Sequence, residues 1–474
     1  MRTHRRFPII LISFLLCGTL SGQKTWTLSE CIDTALERNI QIQQTAIQEQ
    51  IAENTIDASW GGLFPQLNAS AGYNWNFGLN IDPVTNVPSR ADRQTNSLSL
   101  NASWTLFNGL QNYNNLAQAR LDRMVSVYQL EDIKNNTALS VASQYVQILL
   151  NEEILKIADE QARVTQLQLR RMKQLVDAGA RPKGDQLQLE AQRARDEQSF
   201  VSAQNNLRIS RLILAQTMQI PKGEDLEVAG YAAADPESGL LSMSPQDIYT
   251  AALGNQPSIK ASELSVQSAE KGVALAKGAV WPSLSLFAAV ATNYSDQVLN
   301  FNSQTRNPLP IGTTASGELV NDLGGFTFQT DGVKPFGDQY ADNINQFIGL
   351  NLSVPIWTGF QLRNGIRNAR LNQEQSKLQL EDTKNQLRQT IERAHADARS
   401  ALETYASAKS NVRANQEAFD YSELRFQNGV ISQYDYENAR NGLSSAQAQM
   451  AQAKYDFIFR IKTLEFYLNG SIQP

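Results

Sequence analysis

The stretch "SWTLFNG" (Ser103–Gly109) returns later in the chain as "SVPIWTG" (Ser353–Gly359). Each copy closes an alternation of apolar and polar residues, and each ends in a glycine that opens a long polar segment. The glycines at 109 and 359 lie 250 residues apart in a chain of 474 residues, so the repeated unit is far larger than the unit of a tandem array. The sequence therefore predicts the internal duplication of a large structural unit.

In the first copy, apolar residues occupy alternate positions in two runs, which are separated by a polar, proline-containing loop over Asp82–Thr95. A period of two is typical of strands with one apolar face, so the runs are predicted to form a β-hairpin. The apolar positions are Leu67, Ala69, Ala71, Tyr73, Trp75, Phe77, Leu79, Leu98, Leu100, Ala102, Trp104 and Leu106.

The second copy repeats this pattern after Pro282, as the first does after Pro65. Its apolar positions are Leu284, Leu286, Ala288, Val290, Ile348, Leu350, Leu352, Val354 and Ile356. The connection over residues 299–346 is rich in Gly, Asn, Thr and Asp, and it is predicted to be an enlarged, solvated loop.

The alternation fits either part of a soluble β-sandwich or a set of membrane strands. The lengths of the runs and the aromatic residues near their ends favour the membrane, because tilted strands cross it in about 9–11 residues and aromatic side chains gather at its interfaces. Four strands cannot close a barrel, and lipid does not tolerate an open strand edge. Other copies of the chain are therefore needed to complete the barrel.

Segments without proline follow both hairpins, and apolar residues recur in them at steps of three and four, as in α-helices. From Gly109 to Gly179, and again from Gly359 to Gly429, is 70 residues, enough for helices of roughly 100 Å. Glycine suits the left-handed conformation that ends many helices, so both helices are predicted to turn there and run back. The returning helices are predicted over 186–217 and 436–468.

One helix is predicted before each hairpin, over Cys31–Ser59 and over Ile248–Ala279. Capping signals precede both helices, from Thr27 in the first copy and from Ser244 in the second. Each repeat thus reads helix, strand, loop, strand, very long helix, turn and returning helix.

The N-terminus has a basic head, an apolar stretch and a small-residue exit, which together are typical of a secretory signal peptide. Lipidation at Cys17 is the less favoured alternative, because Leu16 stands where lipoproteins carry a small residue. The predicted domains are the signal peptide (1–22), the first structural repeat (23–218), the equatorial inter-repeat linker (219–243) and the second structural repeat (244–474).

Several motifs resemble those of the TolC-like outer membrane efflux family, in the same order and in both copies. They are "TLSECIDTALERN" (Thr27–Asn39) for the N-terminal helix, "FPQLNASAGY" (Phe64–Tyr73) for the first strand, "ALGNQPSIKASELSVQSA" (Ala252–Ala269) for the second repeat's helix, and "LFNG" and "IWTG" for the exits from barrel to helix. The sequence departs from the family at Ile40, where the family has proline, and at Gln256, which separates Asn255 from Pro257.

The resemblance, which covers residues 26–470, implies an α+β membrane protein that assembles as a homotrimer. Three chains would contribute four strands each to a twelve-stranded β-barrel, which continues into a long α-helical periplasmic tunnel. The seam between barrel and tunnel would lie at Gly109, Gly359, Pro65 and Pro282.

The resemblance also implies a function and partners. The chain would be the outer membrane exit duct of a tripartite efflux or secretion system in a Gram-negative bacterium, passively conducting substrates across a membrane whose lipid surrounds the barrel. Its partners would be a periplasmic adaptor (a membrane fusion protein) and an inner-membrane transporter of RND or ABC type. The sequence does not indicate the cargo.

An enzyme would need converging titratable groups, and after the signal peptide the chain has one histidine, His395, and one cysteine, Cys31. Both fit packed or solvated positions in amphipathic helices better than a catalytic or metal-binding role. The chain shows no phosphate-binding, dinucleotide or metal motif, so no enzyme, cofactor or metal is predicted. Its net charge of −5, with both signs interspersed, argues against nucleic acid as a partner.

The alternative function is a trimeric coiled-coil stalk or adhesin with a β-strand membrane anchor. A stalk would carry regular seams of Leu, Ile and Val, whereas strands interrupt the helical pattern twice here and Ala, Gln and Asn are abundant along it. Ion conductance would separate a duct from a stalk.

By the same resemblance, two sets of residues are predicted at the periplasmic end. The tips that contact the adaptor would be Ala178, Gly179, Ala180 and Arg181 in the first repeat, and Asn428, Gly429, Val430 and Ile431 in the second. Asp435 matches a family position that faces the narrow entrance, with Asp185 as its counterpart and Asn438 at a place that is often acidic. Both aspartates also fit a helix N-terminus, so a capping role stays open beside the entrance role, and it is the preferred role for Asp185.

Overall fold

The structure is a computed structural model, and it describes residues 25–81, 86, 88–90, 92–221, 223, 226–230, 238–322 and 325–470. The predicted signal peptide, Cys17 and part of the inter-repeat linker lie outside these residues. The described chain is mostly helical with interspersed strands, which confirms the α+β prediction.

The helices, in chain order, are α1 (Leu28–Arg38), α2 (Ile40–Gly61), α3 (Gln111–Asp177), α4 (Lys183–Thr217), α5 (Pro245–Asn255), α6 (Pro257–Gly278), α7 (Phe336–Asp342), α8 (Gln361–Gln427) and α9 (Gln433–Asn469). The predicted pairs of long and returning helices are confirmed, since α3 and α8 have 67 residues each and are followed by α4 and α9. No helix among the described residues combines the length and the apolar character that a membrane crossing requires.

The strands are β1 (Thr25–Trp26), β2 (Gln66–Asn76), β3 (Asn80–Ile81), β4 (Pro88–Ser89), β5 (Arg93–Asn108), β6 (Glu227–Val228), β7 (Ser283–Ser295), β8 (Leu299–Asn307), β9 (Pro310–Thr313), β10 (Leu319–Asn321), β11 (Gly325–Val333) and β12 (Asn345–Ser353). The two predicted hairpins are confirmed as the antiparallel pairs β2–β5 and β7–β12. The second hairpin ends at Ser353 and not at Ile356, because Pro355 has no N–H to donate to a strand partner.

The prediction of a single helix before each hairpin is wrong. The first breaks at Asn39 (ψ 124°), whose side-chain Oδ1 accepts a hydrogen bond of 2.9 Å from the N–H of Gln41 and so caps α2. The second breaks at Gln256 (ψ 123°), because a residue that precedes proline, here Pro257, is driven out of the helical region.

The connection over residues 299–346, which was predicted to be an enlarged, solvated loop, contains regular secondary structure. Strands β8 and β11 form one antiparallel pair there and β9 and β10 form another, and the short helix α7 follows. The side chain of Gln339, on α7, is buried and hydrogen-bonds both the N–H and the carbonyl of Ser295 at the end of β7. The segment is therefore a structured extension of the second hairpin.

The described chain divides into two compact units. The first comprises the described part of Met1–Glu49, Val125–Glu263 and Gln379–Pro474, and it contains two large apolar cores and a smaller cluster of Leu169, Met172 and Leu189. One core packs α1 against α3 and α4, around the fully buried residues Cys31, Ile148 and Leu214. The other packs α5 against α8 and α9, around Ile248, Ile391 and Leu464. Each core thus joins a short helix to the long and returning helices that follow it in the chain.

Both capping predictions are confirmed in this unit. Thr27 and Glu30 form a reciprocal capping box at α1, and Ser244 and Asp247 form another at α5. Cys31 is buried as predicted, and the half-buried His395 lies 3.2 Å from the carbonyl oxygen of Met243.

The second unit comprises the described part of Gln50–Met124 and Leu264–Leu378 and holds a four-stranded antiparallel sheet in the order β12–β7–β5–β2. The junction between the two hairpins is the β5–β7 pair, whose register shifts near Leu106. Apolar side chains on alternate positions of this sheet are exposed in the single chain, among them Leu67, Trp75, Ile348 and Leu350.

Candidate functional site

The turns at the ends of α3 and α8 have the same backbone structure. Gly179 and Gly429 lie in the left-handed region, with φ of 70° and 73°, as predicted. In the first turn, the N–H groups of Gly179 and Ala180 donate to the carbonyls of Val176 and Leu175. The second turn repeats both bonds, which define a Schellman motif that satisfies the last carbonyls of each helix.

The predicted tip residues surround these turns and present mainly exposed surface. Ala178, Gly179 and Ala180 are exposed in the first turn, and Asn428, Gly429 and Val430 are exposed in the second. Arg181 and Ile431, which follow them, are half-buried.

The two turns contact each other through Arg181. Its guanidinium lies 5.7 Å from the centre of the Phe426 ring, within the range of a cation–π interaction. Arg181 also approaches the carboxylate of Asp185, at 3.9 Å. One chain thus brings both predicted tips to one place.

The two predicted aspartates sit differently. Asp435 is exposed, and its Oδ2 accepts hydrogen bonds from the hydroxyl (2.7 Å) and the N–H (3.2 Å) of Ser432, while its own N–H donates to the Ser432 hydroxyl. The capping box is therefore present at α9. Asp185 lies in the first turn of α4, whose N-cap residue, Pro182, makes no side-chain cap.

Asn438, one turn beyond Asp435, is exposed. Because Asp435 and Asn438 are three residues apart on α9, they lie on one side of the helix. Only Asp435 contributes a negative charge on that side at these two positions.

A buried polar cluster lies two turns along α9 from its start, and we call it the Arg440 cluster. The Arg440 side chain is 5% exposed. It donates to Thr165 Oγ1 (2.6 Å) and Gln168 Oε1 (2.9 Å) on α3, and it pairs with Glu437 Oε2 at 2.7 Å and with Asp196 Oδ2 on α4 at 3.6 Å. One guanidinium thus joins α9 to both helices of the first repeat's hairpin.

The carboxylates of the Arg440 cluster are held by several donors. Asp196 accepts from the Thr165 hydroxyl and from Gln192 Nε2 (2.7 Å). Burial raises the pKa of the Glu437 carboxyl, and the charge of Arg440 and a hydrogen bond from Gln433 oppose that rise. The cluster therefore keeps charge in an interior position by pairing it, which is the usual condition for buried ions.

Sequence reasoning missed this cluster. The spacing of Glu437 and Arg440 is a detectable signal, because residues three apart on a helix face each other. Asp196 and Thr165 are more than 200 residues away in sequence, and only the packing of the helices brings them to Arg440.

At the predicted seam, Gly109 and Gly359 both have positive φ, 65° and 57°, and each is followed by another left-handed residue, Leu110 or Phe360. Pro65 and Pro282 stand directly before strands β2 and β7. The predicted seam residues therefore lie where the sheet strands meet the helices.

Gly109 also makes a close backbone contact within the sheet unit. A Cβ atom on Gly109 would lie 2.1 Å from the carbonyl oxygen of Gly278, and one on Gly278 would lie 2.5 Å from the carbonyl oxygen of Gly109. No side chain fits at either position, so both glycines are required for this contact.

Among the residues that the structure describes, no group of three or more His, Cys, Asp and Glu side chains is placed to hold a metal ion. The distinctive features are instead the paired turns, the Arg440 cluster, the seam and the exposed apolar sheet.

Comparison with known proteins matches this architecture to one family. The family described as "Outer membrane efflux protein" matches residues 31–218 and 248–470, one stretch in each half of the chain. The outer membrane efflux protein BepC of Brucella suis biovar 1 is 22% identical over 454 residues, covering 95% of this chain and 87% of BepC. The outer membrane protein TolC of Vibrio cholerae is 22% identical over 451 residues, covering 94% of this chain and 92% of TolC.

A solved structure shows the same fold. The CmeC outer membrane channel of Campylobacter jejuni superimposes with a TM-score of 0.73 at 16% sequence identity, covering 99% of this chain and 95% of CmeC.

Proposed function

The chain belongs to the outer membrane efflux protein family and is an outer membrane exit duct, and we propose that three copies of it build the duct of a tripartite efflux or secretion system. The duct conducts passively: the energy comes from an inner-membrane transporter of RND or ABC type, and a periplasmic adaptor connects that transporter to the duct.

The observation that carries the proposal is the open, apolar sheet. Among the described residues, the outer edges of β2 and β12 have no partner strand. Apolar side chains on this sheet are strongly exposed in the single chain, Trp75 at 61% and Ile348 at 75%. Lipid accepts such a face but not an open edge, so a membrane location requires other copies to pair with both edges. Three copies give a barrel of twelve strands.

The helices complete the duct on the periplasmic side. The repeats are assigned to residues 23–218 and 244–474, with residues 219–243 as an equatorial linker and residues 1–22 as a cleaved signal peptide. The same order of elements on both sides of the linker supports this division, as do the two separate matches to the family. The seam residues Gly109, Gly359, Pro65 and Pro282 mark the change from barrel to tunnel.

The periplasmic tips are proposed as the surface that contacts the adaptor. They are residues 178–181 and 428–431, and the proposal is supported by the two matching turns, which touch each other through Arg181 and Phe426. The exposed, small residues Ala178, Gly179, Ala180 and Gly429 leave room for close approach by another protein.

Asp435 is proposed to line the entrance beside its capping role. Three-fold symmetry would put three Asp435 carboxylates around one axis, and the exposure of Asp435 in the single chain is compatible with this position. Asn438 makes this ring weaker in charge than one with two acids per chain. Asp185, paired with Arg181, is assigned to the first turn of α4 and not to the entrance.

The test of the duct combines mass and conductance. Protein solubilised in detergent is expected to have the mass of a trimer, and the trimer is expected to give discrete conductance steps in a planar lipid bilayer. A trimer that never conducts would support the stalk instead, and a stable, folded monomer would overturn the proposed barrel.

A further inference from the structure

The strand pairing within one chain predicts how neighbouring copies pair at the open edges of the sheet. This inference rests on the proposed trimer. We infer that β12 of one copy pairs with β2 of the next in the register of the β5–β7 junction, and that Gly359 of one copy packs against Gly61 of the next. The junction between copies would repeat the junction between hairpins.

The first support is that the two hairpins share one register. In the first, Ser103 lies opposite Gln66, and the pairing continues to Thr95 opposite Asn74. In the second, the pairing runs from Ser353 opposite Ser283 to Asn345 opposite Ala291. Adding 217 to each position on β2 and 250 to each position on β5 reproduces every pair of the second hairpin. The hairpins are therefore equivalent residue by residue.

Because the hairpins are equivalent, the residue pairs between β5 and β7 inside the chain predict the residue pairs between β12 of one copy and β2 of the next. Inside the chain, Ser103 lies opposite Phe287, Ala102 opposite Ala288, and Leu100 opposite Val290. The equivalent pairs between copies are Ser353 with Ser70, Leu352 with Ala71, Leu350 with Tyr73, and Ile348 with Trp75. Apolar residues meet apolar residues in this register, which is what the lipid-facing side of a barrel requires.

The second support is the pattern of glycines. The close contact of Gly109 with Gly278 also involves Gln111, whose Cγ lies 2.8 Å from a Cβ built on Gly278, and Trp281, whose Cβ lies 2.8 Å from one built on Gly109. All four positions have equivalents of the same kind. They are Gly359, Gly61, Gln361 and Phe64.

Within one chain these equivalent glycines have no such contact. A Cβ on Gly61 or on Gly359 would meet no atom within 4 Å. The positive φ of Gly359 explains that glycine, but Gly61 ends helix α2 without a positive φ. Gly61 is equivalent to Gly278, whereas its neighbour Gly62 is equivalent to Ala279. Of these two positions, only that of Gly61 carries glycine in both repeats. Packing of Gly61 against Gly359 of the neighbouring copy accounts for the difference.

The register is tested by disulfide trapping. Ser70→Cys combined with Ser353→Cys places two cysteines opposite each other only across the junction between copies. In one chain, β7 and β5 lie between the two strands, which are therefore roughly 14 Å apart, and Ser353 is also displaced along the sheet because Ser70 is level with Asn345. A disulfide within one chain is out of reach. Mild oxidation of the purified trimer is expected to convert the monomer band into covalent dimers and closed trimers, whereas each single-cysteine variant, which retains the buried Cys31, is expected to form no closed trimer.

The matched control is Ser70→Cys with Asn351→Cys, which places the cysteines opposite each other only if the register slips by two residues. In the inferred register this pair is diagonal, about 7–8 Å apart, so most of the protein should stay monomeric on a denaturing gel. If this pair cross-links better than the Ser353 pair while the trimer mass is retained, the register is wrong and the duct still stands. If no trimer forms in the unmodified protein, the proposed function itself fails.

The glycine contact is tested by Gly61→Ala, with Gly62→Ala as its control. A Cβ at position 61 has open space in a single chain, and one at position 62 meets the carbonyl oxygens of Ser59, at 3.4 Å, and Ala58, at 3.9 Å, in ordinary contact. Gly61→Ala is expected to lower the melting temperature of the trimer and increase the monomer fraction, and Gly62→Ala is expected to change neither. An unchanged trimer for Gly61→Ala would overturn the contact.

Discussion

At the scale of single residues, the contacts of Arg440 depend on the packing of three helices, α3, α4 and α9. It is buried among Glu437, Asp196 and Thr165, and each of these groups is oriented to accept a hydrogen bond or neutralise its charge. Removing one partner from a buried ion pair leaves the other charges without compensation in a medium of low polarity.

We therefore predict that Arg440→Met lowers the free energy of unfolding by about 3–5 kcal/mol, because it leaves Glu437 and Asp196 buried without their cation. The measurement is the midpoint of unfolding by guanidinium chloride, followed by the helical circular dichroism signal. The matched control is Arg460→Met on the same helix, because Arg460 is 37% exposed where it pairs with Asp397, and exposed pairs contribute about 0–1 kcal/mol. Equal shifts in the two variants would contradict the role assigned to burial.

At this scale, the sequence predicts features that depend on residues close together in the chain, and it does not predict contacts between distant residues. The capping box of Ser432 and Asp435 and the left-handed glycines at 179 and 429 depend on a few neighbouring residues, and all of them were predictable. The contact of Arg440 with Asp196 depends on the packing of helices from different repeats, and no short pattern contains that information.

At the scale of elements, the long helices and the strands of the main sheet were predictable because their periods of 3.6 and 2 persist over many residues. The helix breaks were missed for different reasons: the break at Gln256 has a sequence signal in the following Pro257, whereas the break at Asn39 depends on the ψ angle and the side-chain cap of one residue. The strands within residues 299–346 were missed for another reason. Their sequence is mostly polar, and the alternation of apolar and polar residues is too short to mark a strand, at Leu299 and Phe301 and again at Phe326 and Phe328.

The tip turns give the prediction at this scale. Gly429→Val forces a β-branched residue to φ 73°, which costs roughly 1–2 kcal/mol and distorts the turn, whereas Gly429→Asn places there a residue that tolerates this conformation. If the adaptor binds to the turn, the valine variant should show the same export defect as a strain that lacks the gene. The asparagine variant should export normally. Trimer yield, measured in parallel, separates a docking defect from a folding defect. Normal export by the valine variant would place docking elsewhere.

At the scale of the whole molecule, symmetry turns one exposed side chain into a ring. A single carboxylate in the first turn of α9 stabilises that helix by roughly 0.3–1 kcal/mol through the helix dipole, whatever else it does. In a trimer, three such carboxylates at a constriction would also attract cations and repel anions. The cap acts within one chain and the ring acts only in the assembly, so different measurements separate them.

The last prediction uses Asp435→Asn, which removes the charge and keeps a side-chain oxygen that can accept from Ser432. Single-channel recordings of this variant should show reduced cation preference, while the melting temperature of the trimer stays nearly unchanged. Asn438→Asp, which adds a second acid on the same side of α9, should increase cation preference, and Asp185→Asn should leave it unchanged because Asp185 pairs with Arg181. If Asp435→Asn instead lowers the melting temperature without altering selectivity, the carboxylate is a helix cap alone, and the entrance must be controlled by other groups.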